Sequence, residues 1–248
     1  MFETPHKVRY ISHRGFQPMA PANSLPSFAA AGALGQWAIE TDVHLTRDGK
    51  LVCCHDACVD TTYDGSGLIA DMTWNELRTL RLKQGNRLNC LTDEEKRMPL
   101  FSEYLTVCRR FGSVPFVELK TSDVEPVLKT VAAAGLREDE VIMSSTRLEW
   151  LKEVRRLSPS MFIHWIFGNE DQLDELAALG NAGLSWKIAN CFECSPEKIT
   201  MAHERGLKVC LRAGDSIESV RHMLALGLDY IPTNCMHLPL IQTGGMHE

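Results

Sequence analysis

The stretch IETDVHLTRDG, residues 39–49, decides the fold. Apolar and polar residues alternate at its start, which predicts a β-strand with two different faces. Glu40 and Asp42 then share one face of that strand. The closing DG pair predicts a tight turn, so the strand continues into an antiparallel partner at LVCCH, residues 51–55. This strand therefore carries two carboxylates and ends in a hairpin.

Outside this stretch, strand and helix patterns alternate along the chain. Apolar runs predict eight strands, beginning at residues 8–11, 37–39, 114–117, 140–143, 161–163, 184–186, 207–209 and 228–231. Amphipathic stretches predict helices at residues 124–134, 147–157, 171–179, 196–205 and 217–226. Three of them end at a glycine suited to a helix C-terminus: Gly135, Gly206 and Gly227.

This alternation predicts an α/β protein with a parallel sheet, because strands joined by helices form right-handed crossover units. Eight such units in 248 residues match a (β/α)8 TIM barrel. An open doubly wound sheet is the rival fold. It is less favoured because HRG, residues 13–15, stands where that fold carries its glycine-rich phosphate loop.

Residues 56–98 interrupt the alternation of strand and helix patterns. The segment is polar and contains the turn signal DGSG and the charged run DEEKR. We interpret residues 1–248 as a single catalytic barrel domain, with a small subdomain at 56–98 inserted after strand 2. A long insertion of this kind is typical of a segment that lies over a barrel mouth and shapes the substrate pocket.

Composition and charge exclude several classes of protein. With 44% hydrophobic and 23% charged residues, the chain has a globular balance. A net charge of −6 without a lysine or arginine run argues against a nucleic-acid partner. The longest charge-free stretch, residues 15–39, holds prolines and polar residues, so we expect no membrane span. Nine cysteines, an odd number, with no secretory signal predict reduced thiols and a cytoplasmic location.

Acidic side chains gather at the predicted ends of strands 2 and 3. Glu118 and Lys120 are spaced like Glu40 and Asp42, so each pair shares one strand face. Three carboxylates meeting at a barrel mouth repel one another unless a cation intervenes. Oxygen ligands alone favour one hard divalent ion, Mg²⁺ or Ca²⁺, with Mn²⁺ as a further option. The alternative is a set of surface acids with Lys120 as an ion-pair partner. We expect His44 to lie beyond the rim.

Two histidines and an arginine complete the candidate chemistry. His13 and Arg14 follow the first strand, and His55 follows the hairpin. Two imidazoles that titrate near neutral pH suit a general base and a general acid. A planar guanidinium such as that of Arg14 matches phosphate oxygens. Each of these short motifs also fits a capping or packing role on its own.

Taken together, the motifs resemble the glycerophosphodiester phosphodiesterase family, a group with the TIM barrel of the PLC-like phosphodiesterases. The resemblance rests on SHRG at 12–15, PANSLPSF at 21–28, the stretch at 39–49, VCCHD at 52–56 and VELK at 117–120. It covers residues 8–120 and is only architectural beyond them. It implies divalent-metal-dependent hydrolysis of a phosphodiester to an alcohol and a phosphomonoester such as glycerol 3-phosphate.

Carried over position by position, the resemblance also implies residue roles. They are metal ligation by Glu40, Asp42 and Glu118, acid–base catalysis by His13 and His55, and phosphate binding by Arg14 and Lys120. In glycerophosphodiesters the neighbouring glycerol hydroxyl can attack first and give a cyclic phosphate, which water then opens. Which histidine is the base is not decided by the sequence.

The sequence departs from the family pattern at several positions. The family's Pro-Glu-Asn-Thr has Ala22 here in place of the glutamate, and we expect Asn23 to cap the following helix. The family's late Trp-Thr-Val-Asn reads CLRA at 210–213, which removes an aromatic wall and introduces Arg212 as a possible pocket residue. The closing Thr-Asp ends in Asn234. Arg212 suits a more anionic substrate.

Alternatives to glycerophosphodiester hydrolysis stay open. The chain could act on a phosphodiester with a different alcohol, or act as a lyase that stops at the cyclic phosphate. It could also be a barrel that binds phosphodiesters or sugar phosphates without turnover. A carboxylate-pair glycosidase has no use for cations beside its acids. We expect a small-molecule substrate, and apolar patches on the barrel helices make a homodimer possible.

Overall fold

The computed structural model describes residues 9–235, and these form a parallel barrel. Its eight barrel strands are β1 (Tyr10–Ser12), β2 (Ala38–Leu45), β4 (Val114–Leu119), β5 (Ile142–Ser145), β6 (Phe162–Gly168), β7 (Ala182–Trp186), β8 (Lys208–Cys210) and β9 (Ile231–Thr233). Neighbouring strands pair in the order β8-β7-β6-β5-β4-β2-β1-β9, always in parallel. The predicted TIM barrel is confirmed.

The ring closes between its last two strands through the residues before β9. The backbone N–H of Asp229 donates to the carbonyl of Val209 at 3.0 Å. The Asp229 carboxylate accepts from the Val209 N–H at 2.8 Å. The same carboxylate pairs with His203 at 2.8 Å and with Lys208 at 2.9 Å. A side chain therefore bridges the seam that strand pairing leaves open.

Helices connect consecutive strands. They are α1 (Leu25–Ala33), α2 (Trp74–Leu77), α3 (Phe101–Phe111), α4 (Val124–Ala133), α5 (Leu148–Leu157), α6 (Leu173–Ala178), α7 (Pro196–His203) and α8 (Ile217–Ala225). The predicted glycines after α4, α7 and α8 adopt φ angles of 72° to 75°, as a C-terminal glycine does. All five helices predicted from periodicity are confirmed to within two residues at each end.

Alternation along β2 and β4 separates the two sides of the sheet. Ile39, Val43 and Val117 pack in the large core between sheet and helices. Ala38 and Phe116 belong to a smaller cluster, to which six strands contribute one residue each and Tyr230 is added from just before β9; the other members are Ile11, Ile142, Phe162 and Cys210. Such a cluster fills the barrel interior. The carboxylate residues of β2 and β4 lie on the same strand faces as the residues of this interior cluster.

The predicted hairpin is present, with β3 (Leu51–Cys53) antiparallel to β2. Residues 56–98, which follow it, contain α2 and three short 3₁₀ helices. Buried side chains of this segment pack against Val52 and Cys54 in a cluster separate from the barrel core; they are Val59, Tyr63, Ile69, Leu77, Leu82 and Met98. Within residues 9–235, every helix is too short or too polar to cross a lipid bilayer.

Strand boundaries differ from the predicted ones by one to a few residues. Residues 138–140 form a 3₁₀ turn, so β5 begins at Ile142. The last strand begins at Ile231 rather than in the run 228–231. Residue 8 of the first predicted strand lies outside the described residues. His44 was wrongly expected beyond the rim, because β2 continues to Leu45 through its pairing with β3.

Candidate active site

Three carboxylates converge at the carboxyl ends of β2 and β4. Asp42 pairs in register with Glu118 across the two strands, and Glu40 lies two residues before Asp42 on the same face. One oxygen of each carboxylate lies within 4.8 Å of one oxygen of the other two. Among the described residues this is the one acidic, histidine or cysteine cluster compact enough for a metal ion, and it comprises the three residues predicted from sequence.

Burial and mutual repulsion set the ionisation of this cluster. Burial, reinforced by the charges of Asp42 and Glu118, raises the pKa of Glu40 well above its usual value. Burial and the charge of Asp42 also raise the pKa of Glu118. Burial opposes ionisation of Asp42 too, but Lys120 and Arg14 outweigh it and lower the pKa of Asp42. The charges of Glu40 and Glu118 are therefore compensated less completely than the charge of Asp42.

The cluster fits a hard divalent cation. Its donors are oxygen atoms alone, the ligands that Mg²⁺ and Ca²⁺ prefer. Asp42 is fully buried, yet its Oδ1 makes no hydrogen bond to any described residue. The Lys120 ammonium lies 3.2 Å from this oxygen, and a divalent ion held by the three carboxylates would take over that stabilisation of a buried charge. His44 is not part of the cluster.

Two cations neighbour these acids. The Arg14 backbone N–H donates to Glu40 Oε2 at 2.8 Å, and Arg14 Nε lies 3.4 Å from Asp42 Oδ2. Lys120 Nζ lies 3.2 Å from Asp42 Oδ1 and donates to Glu118. The ion pairs of Lys120 match the alternative considered from sequence, in which it partners the acids. Both cations also line the cavity in front of the cluster.

His13 is oriented by Asn234. Its Nδ1 lies 2.7 Å from Asn234 Oδ1. That amide oxygen is identified by its neighbours, because Gln17 donates to it at 2.7 Å and the Asn234 amide nitrogen donates to Asp215 at 2.6 Å. His13 Nδ1 therefore carries the proton, and Nε2, 4.0 Å from Glu40 Oε2, is bare when the ring is neutral. Burial and the charge of Arg14 lower the pKa of His13.

His55 also lines the mouth of the barrel and is backed by a carboxylate. Its Nδ1 lies 2.7 Å from Asp56 Oδ1, so this nitrogen also donates. The His55 backbone carbonyl lies 3.3 Å from His44 Nε2. Burial lowers the pKa of His44, which keeps its ring neutral against this carbonyl. His44 thus supports the loop that carries His55 rather than the acidic cluster.

Asn23 does not cap helix α1, contrary to the expectation. Ser24 is the N-cap residue and exchanges hydrogen bonds with Ser27. Asn23 instead donates to Asp42 Oδ2 at 2.9 Å and accepts from Thr41 at 2.8 Å. It stands in the left-handed region with φ of 53°, which turns its side chain to β2. Its amide orients a candidate metal ligand.

Two cavities open at the site and share Arg14 and His55. The mouth cavity, of about 350 Å³, lies in front of the acids and is also lined by Phe167 and Arg212. The insertion cavity, of about 430 Å³, lies between the start of the chain and the inserted segment and is lined by Gln84 among others. Every predicted site residue except the fully buried Asp42 lines the mouth cavity.

Sequence reasoning missed several residues of the site. Gln17 and Asp215 hold Asn234 in place, and Phe167 lines the mouth cavity. Asn234 had a signal, since it replaces the aspartate of the family's closing motif. Phe167 had none, because its backbone φ of 63° and its place at a register shift between β6 and β7 follow from tertiary packing.

Comparisons with known proteins agree with this geometry. Residues 13–237 match the model of the glycerophosphoryl diester phosphodiesterase family. A glycerophosphodiester phosphodiesterase of Caldanaerobacter subterraneus is 27% identical over 96% of the chain and 100% of its own length. One from Bacillus altitudinis is 31% identical over 92% of the chain and 94% of its own length. An Oleispira antarctica phosphodiesterase, solved with the product sn-glycerol-3-phosphate, aligns with a TM-score of 0.82 and 24% identity over 95% of both chains.

The fold, the site and the comparisons therefore first assign the chain to a broad class, the phosphoric diester hydrolases built on a (β/α)8 barrel. Within that class, the chain belongs to the glycerophosphoryl diester phosphodiesterase family, whose model covers it from the first histidine of the site to beyond the last barrel strand.

Proposed function

We propose that the chain hydrolyses a glycerophosphodiester, or a related small phosphodiester, to an alcohol and a phosphomonoester such as glycerol 3-phosphate, and that it needs one divalent cation. One observation carries the proposal: three carboxylates, two cations and two imidazoles converge at one barrel mouth. The family model and the names of its relatives support the reaction. A neighbour solved with sn-glycerol-3-phosphate supports a small-molecule substrate.

Glu40, Asp42 and Glu118 would hold the cation, which we take to be Mg²⁺, Ca²⁺ or Mn²⁺. Bound there, it stabilises negative charge on the phosphoryl oxygens. Arg14 is suited to bind a phosphate oxygen as well, since it lines the mouth cavity beside the acids and carries a planar guanidinium. We assign Lys120 the same role, which requires its ammonium to exchange Asp42 and Glu118 for the phosphate.

His13 is the better candidate for the general base. Asn234 holds its proton on Nδ1, and the lowered pKa keeps Nε2 free to accept a proton at neutral pH. His55 is the candidate acid, because it lines the same cavity as His13 and the Asp56 carboxylate beside Nδ1 orients its ring. The base would deprotonate the glycerol hydroxyl or water, and the acid would protonate the departing alcohol.

Leaving groups of different basicity test this assignment. The p-nitrophenolate of bis-p-nitrophenyl phosphate departs without a proton, whereas the alcohol of glycerophosphocholine needs one. We expect His55→Ala to lose at least about a hundredfold in kcat on glycerophosphocholine and much less on the nitrophenyl ester. His13→Ala should lose comparably on both. His203→Ala, on α7 and paired with Asp229, is the control. Equal losses of both variants on both substrates would contradict the assignment.

Removal of divalent cations by a chelator tests whether turnover depends on a metal ion. EDTA should abolish turnover, and Mg²⁺, Ca²⁺ or Mn²⁺ should restore it in the wild type but not in Asp42→Asn. A protein that stays fully active in chelator would refute the metal role.

Product analysis separates the remaining enzyme candidates. Phosphorus NMR distinguishes a phosphomonoester from a cyclic phosphate, at which a lyase would stop. A phosphodiester that binds but stays uncleaved with all three metals would favour a non-catalytic binding barrel. We also propose a reducing, cytoplasmic location, which the nine unpaired cysteines support. A homodimer stays a prediction.

A further inference from the structure

We propose that Arg212 and Phe167 form a subsite for the second substituent of the phosphodiester, and that this subsite selects a substituent carrying its own negative charge, such as a phosphomonoester. The inference rests on the proposed phosphodiesterase function and adds a substrate class to it.

Two cavities meet at the proposed catalytic groups, and a phosphodiester has two substituents that they could receive. Arg14 and His55 line both the mouth cavity and the insertion cavity. A phosphate bound at Arg14 and protonated at its leaving oxygen by His55 lies at the boundary between them. Because the two substituents of a phosphodiester leave the phosphorus in different directions, each cavity receives one of them.

The linings of the two cavities differ in kind. Beyond the catalytic edge formed by Arg14, His55 and Asp56, the insertion cavity presents uncharged polar groups, among them Thr62 and the amides of Gln84 and Asn86. Such a surface suits a polyol such as glycerol. The far half of the mouth cavity, on β5 to β8, presents Thr146, Ile166, Phe167, Ser185, Leu211 and Arg212. Arg212 is the single charged residue of that half among the described residues that line the cavity.

Arg212 has no charged partner among residues 9–235. It follows β8 at the carboxyl end of the barrel and is exposed to the cavity. The nearby carboxylate of Asp215 is occupied by the backbone and side-chain amides of Asn234, at 2.8 and 2.6 Å. An anion that meets the guanidinium must therefore come from the ligand. A planar guanidinium binds phosphate or carboxylate through two parallel hydrogen bonds.

Phe167 gives the same half of the cavity an apolar surface. The residue stands in the left-handed region, at φ of 63°, where a bulky side chain is strained. It lies at the register shift between Ile166 and Gly168, and irregularities of this kind often redirect a side chain beside an active site. The residue is 43% exposed although its side chain is apolar. The carbon skeleton of the substituent can cover this ring while its anionic group reaches Arg212.

A matched pair of substrates tests the subsite. Glycerophosphoinositol and glycerophosphoinositol 4-phosphate differ by one phosphomonoester. We expect the wild type to favour the phosphorylated ester by about tenfold or more in kcat/KM, as a charge-assisted hydrogen bond allows. Arg212→Gln should bring the ratio close to one, and Arg212→Lys should keep part of it. Phe167→Ala should raise KM for both esters.

Arg110→Gln is the control for general charge. Arg110 is exposed near the end of α3, at the opposite end of the barrel from the mouth, and the variant removes the same charge. Its ratio should equal that of the wild type. A wild-type ratio near one, or a ratio unchanged in Arg212→Gln, overturns the subsite while the hydrolytic function stands.

Calorimetry separates failure of the subsite from failure of the function. If the wild type hydrolyses neither ester, both are titrated into wild type and Arg212→Gln. A tenfold difference in Kd that disappears in the variant keeps the subsite and rejects hydrolysis. Equal Kd values overturn both.

Discussion

At the scale of single residues, Asn234 determines which nitrogen of His13 is free. Its amide oxygen accepts from Nδ1, and Asp215 and Gln17 fix the orientation of the amide. This contact joins residues 221 positions apart, so it depends on β9 lying beside β1. The sequence predicted both histidines from their positions after strands, but not the tautomer, which is set by this distant partner.

Removing this acceptor should slow the reaction without unfolding the chain. We expect Asn234→Ala to lower kcat about tenfold to a hundredfold, because part of the general-base contribution is lost with ring orientation. Steady-state kinetics on a glycerophosphodiester measure the effect. Gln17→Ala, which removes a donor to Asn234 but leaves the acceptor for His13, should lose less. A loss equal to that of Asn234→Ala would contradict the proposed tautomer control.

His164 in the barrel interior makes stability dependent on acid. It is buried between the Tyr230 hydroxyl and Cys210, and burial lowers its pKa from 6.5 to about 3. Between these values the unfolded chain binds a proton that the folded chain does not. The free energy of unfolding should therefore fall as pH decreases through this window, by up to about 1.4 kcal/mol per pH unit.

Urea unfolding at several pH values measures this slope. His164→Gln should show a shallower dependence than the wild type between pH 6 and about 4, because glutamine does not titrate. Parallel curves for the two proteins would contradict a neutral buried His164.

At the scale of elements, Tyr104 ties helix α3 to both acid-bearing strands. Its hydroxyl donates to the Ile39 carbonyl of β2 at 2.6 Å and accepts from the Phe116 N–H of β4 at 3.0 Å. Both bonds are buried, two residues before Thr41 and Glu118. The helix thereby helps to fix the spacing of the strands on which Asp42 and Glu118 face each other.

Tyr104→Phe should destabilise the fold by about 1–3 kcal/mol, because it leaves a buried N–H and a buried carbonyl without this partner. Denaturant unfolding measures the loss. Tyr63→Phe is the matched control, since it removes a hydroxyl from an equally buried tyrosine that packs in the cluster of the inserted segment and does not join α3 to β2 and β4. A larger loss in the control would show that the bridge contributes little.

The elements predicted most accurately are those specified by residues close together in the sequence. Helices α4 to α8 and the hairpin of β2 and β3 were predicted from periodicity and turn residues, which are local signals. Strand ends were less accurate, because the pairing partner decides where a strand stops, as it does at Leu45. The role of Asn23 was missed for the same reason. A helix cap and a bond to the neighbouring strand both use an asparagine beside a helix start, and tertiary contact decides between them.

At the scale of the whole molecule, the proposed metal site should make stability depend on divalent cations. A ligand that binds only the folded chain stabilises it by about 2.7 kcal/mol at a hundred times its Kd. For a chain of this size, that shifts Tm by about 5–10 °C. Differential scanning fluorimetry with added Mg²⁺, Ca²⁺ or Mn²⁺ should show this rise in the wild type and not in Asp42→Asn.

The control for this shift is Glu138→Gln, which replaces a half-buried acid that lies before β5 and accepts from the Ser160 hydroxyl. Its Tm should rise with cation as in the wild type. A rise that persists in Asp42→Asn would locate the stabilising ion elsewhere.

The barrel mouth is divided between catalytic groups on the early strands and pocket residues on the later strands, and this division has a consequence for how related chains evolve. Apart from Asn234, every proposed reacting or ion-binding group comes from residues 13–120, while Phe167 and Arg212 belong to the later strands. Recombination that replaces the later half-barrel can then redirect alcohol preference, provided that the new half keeps an acceptor for His13 at the position of Asn234. Paralogues that share the early motifs can therefore evolve different substrate preferences. Chimeras that join two such paralogues near residue 140 offer a direct route to new selectivities.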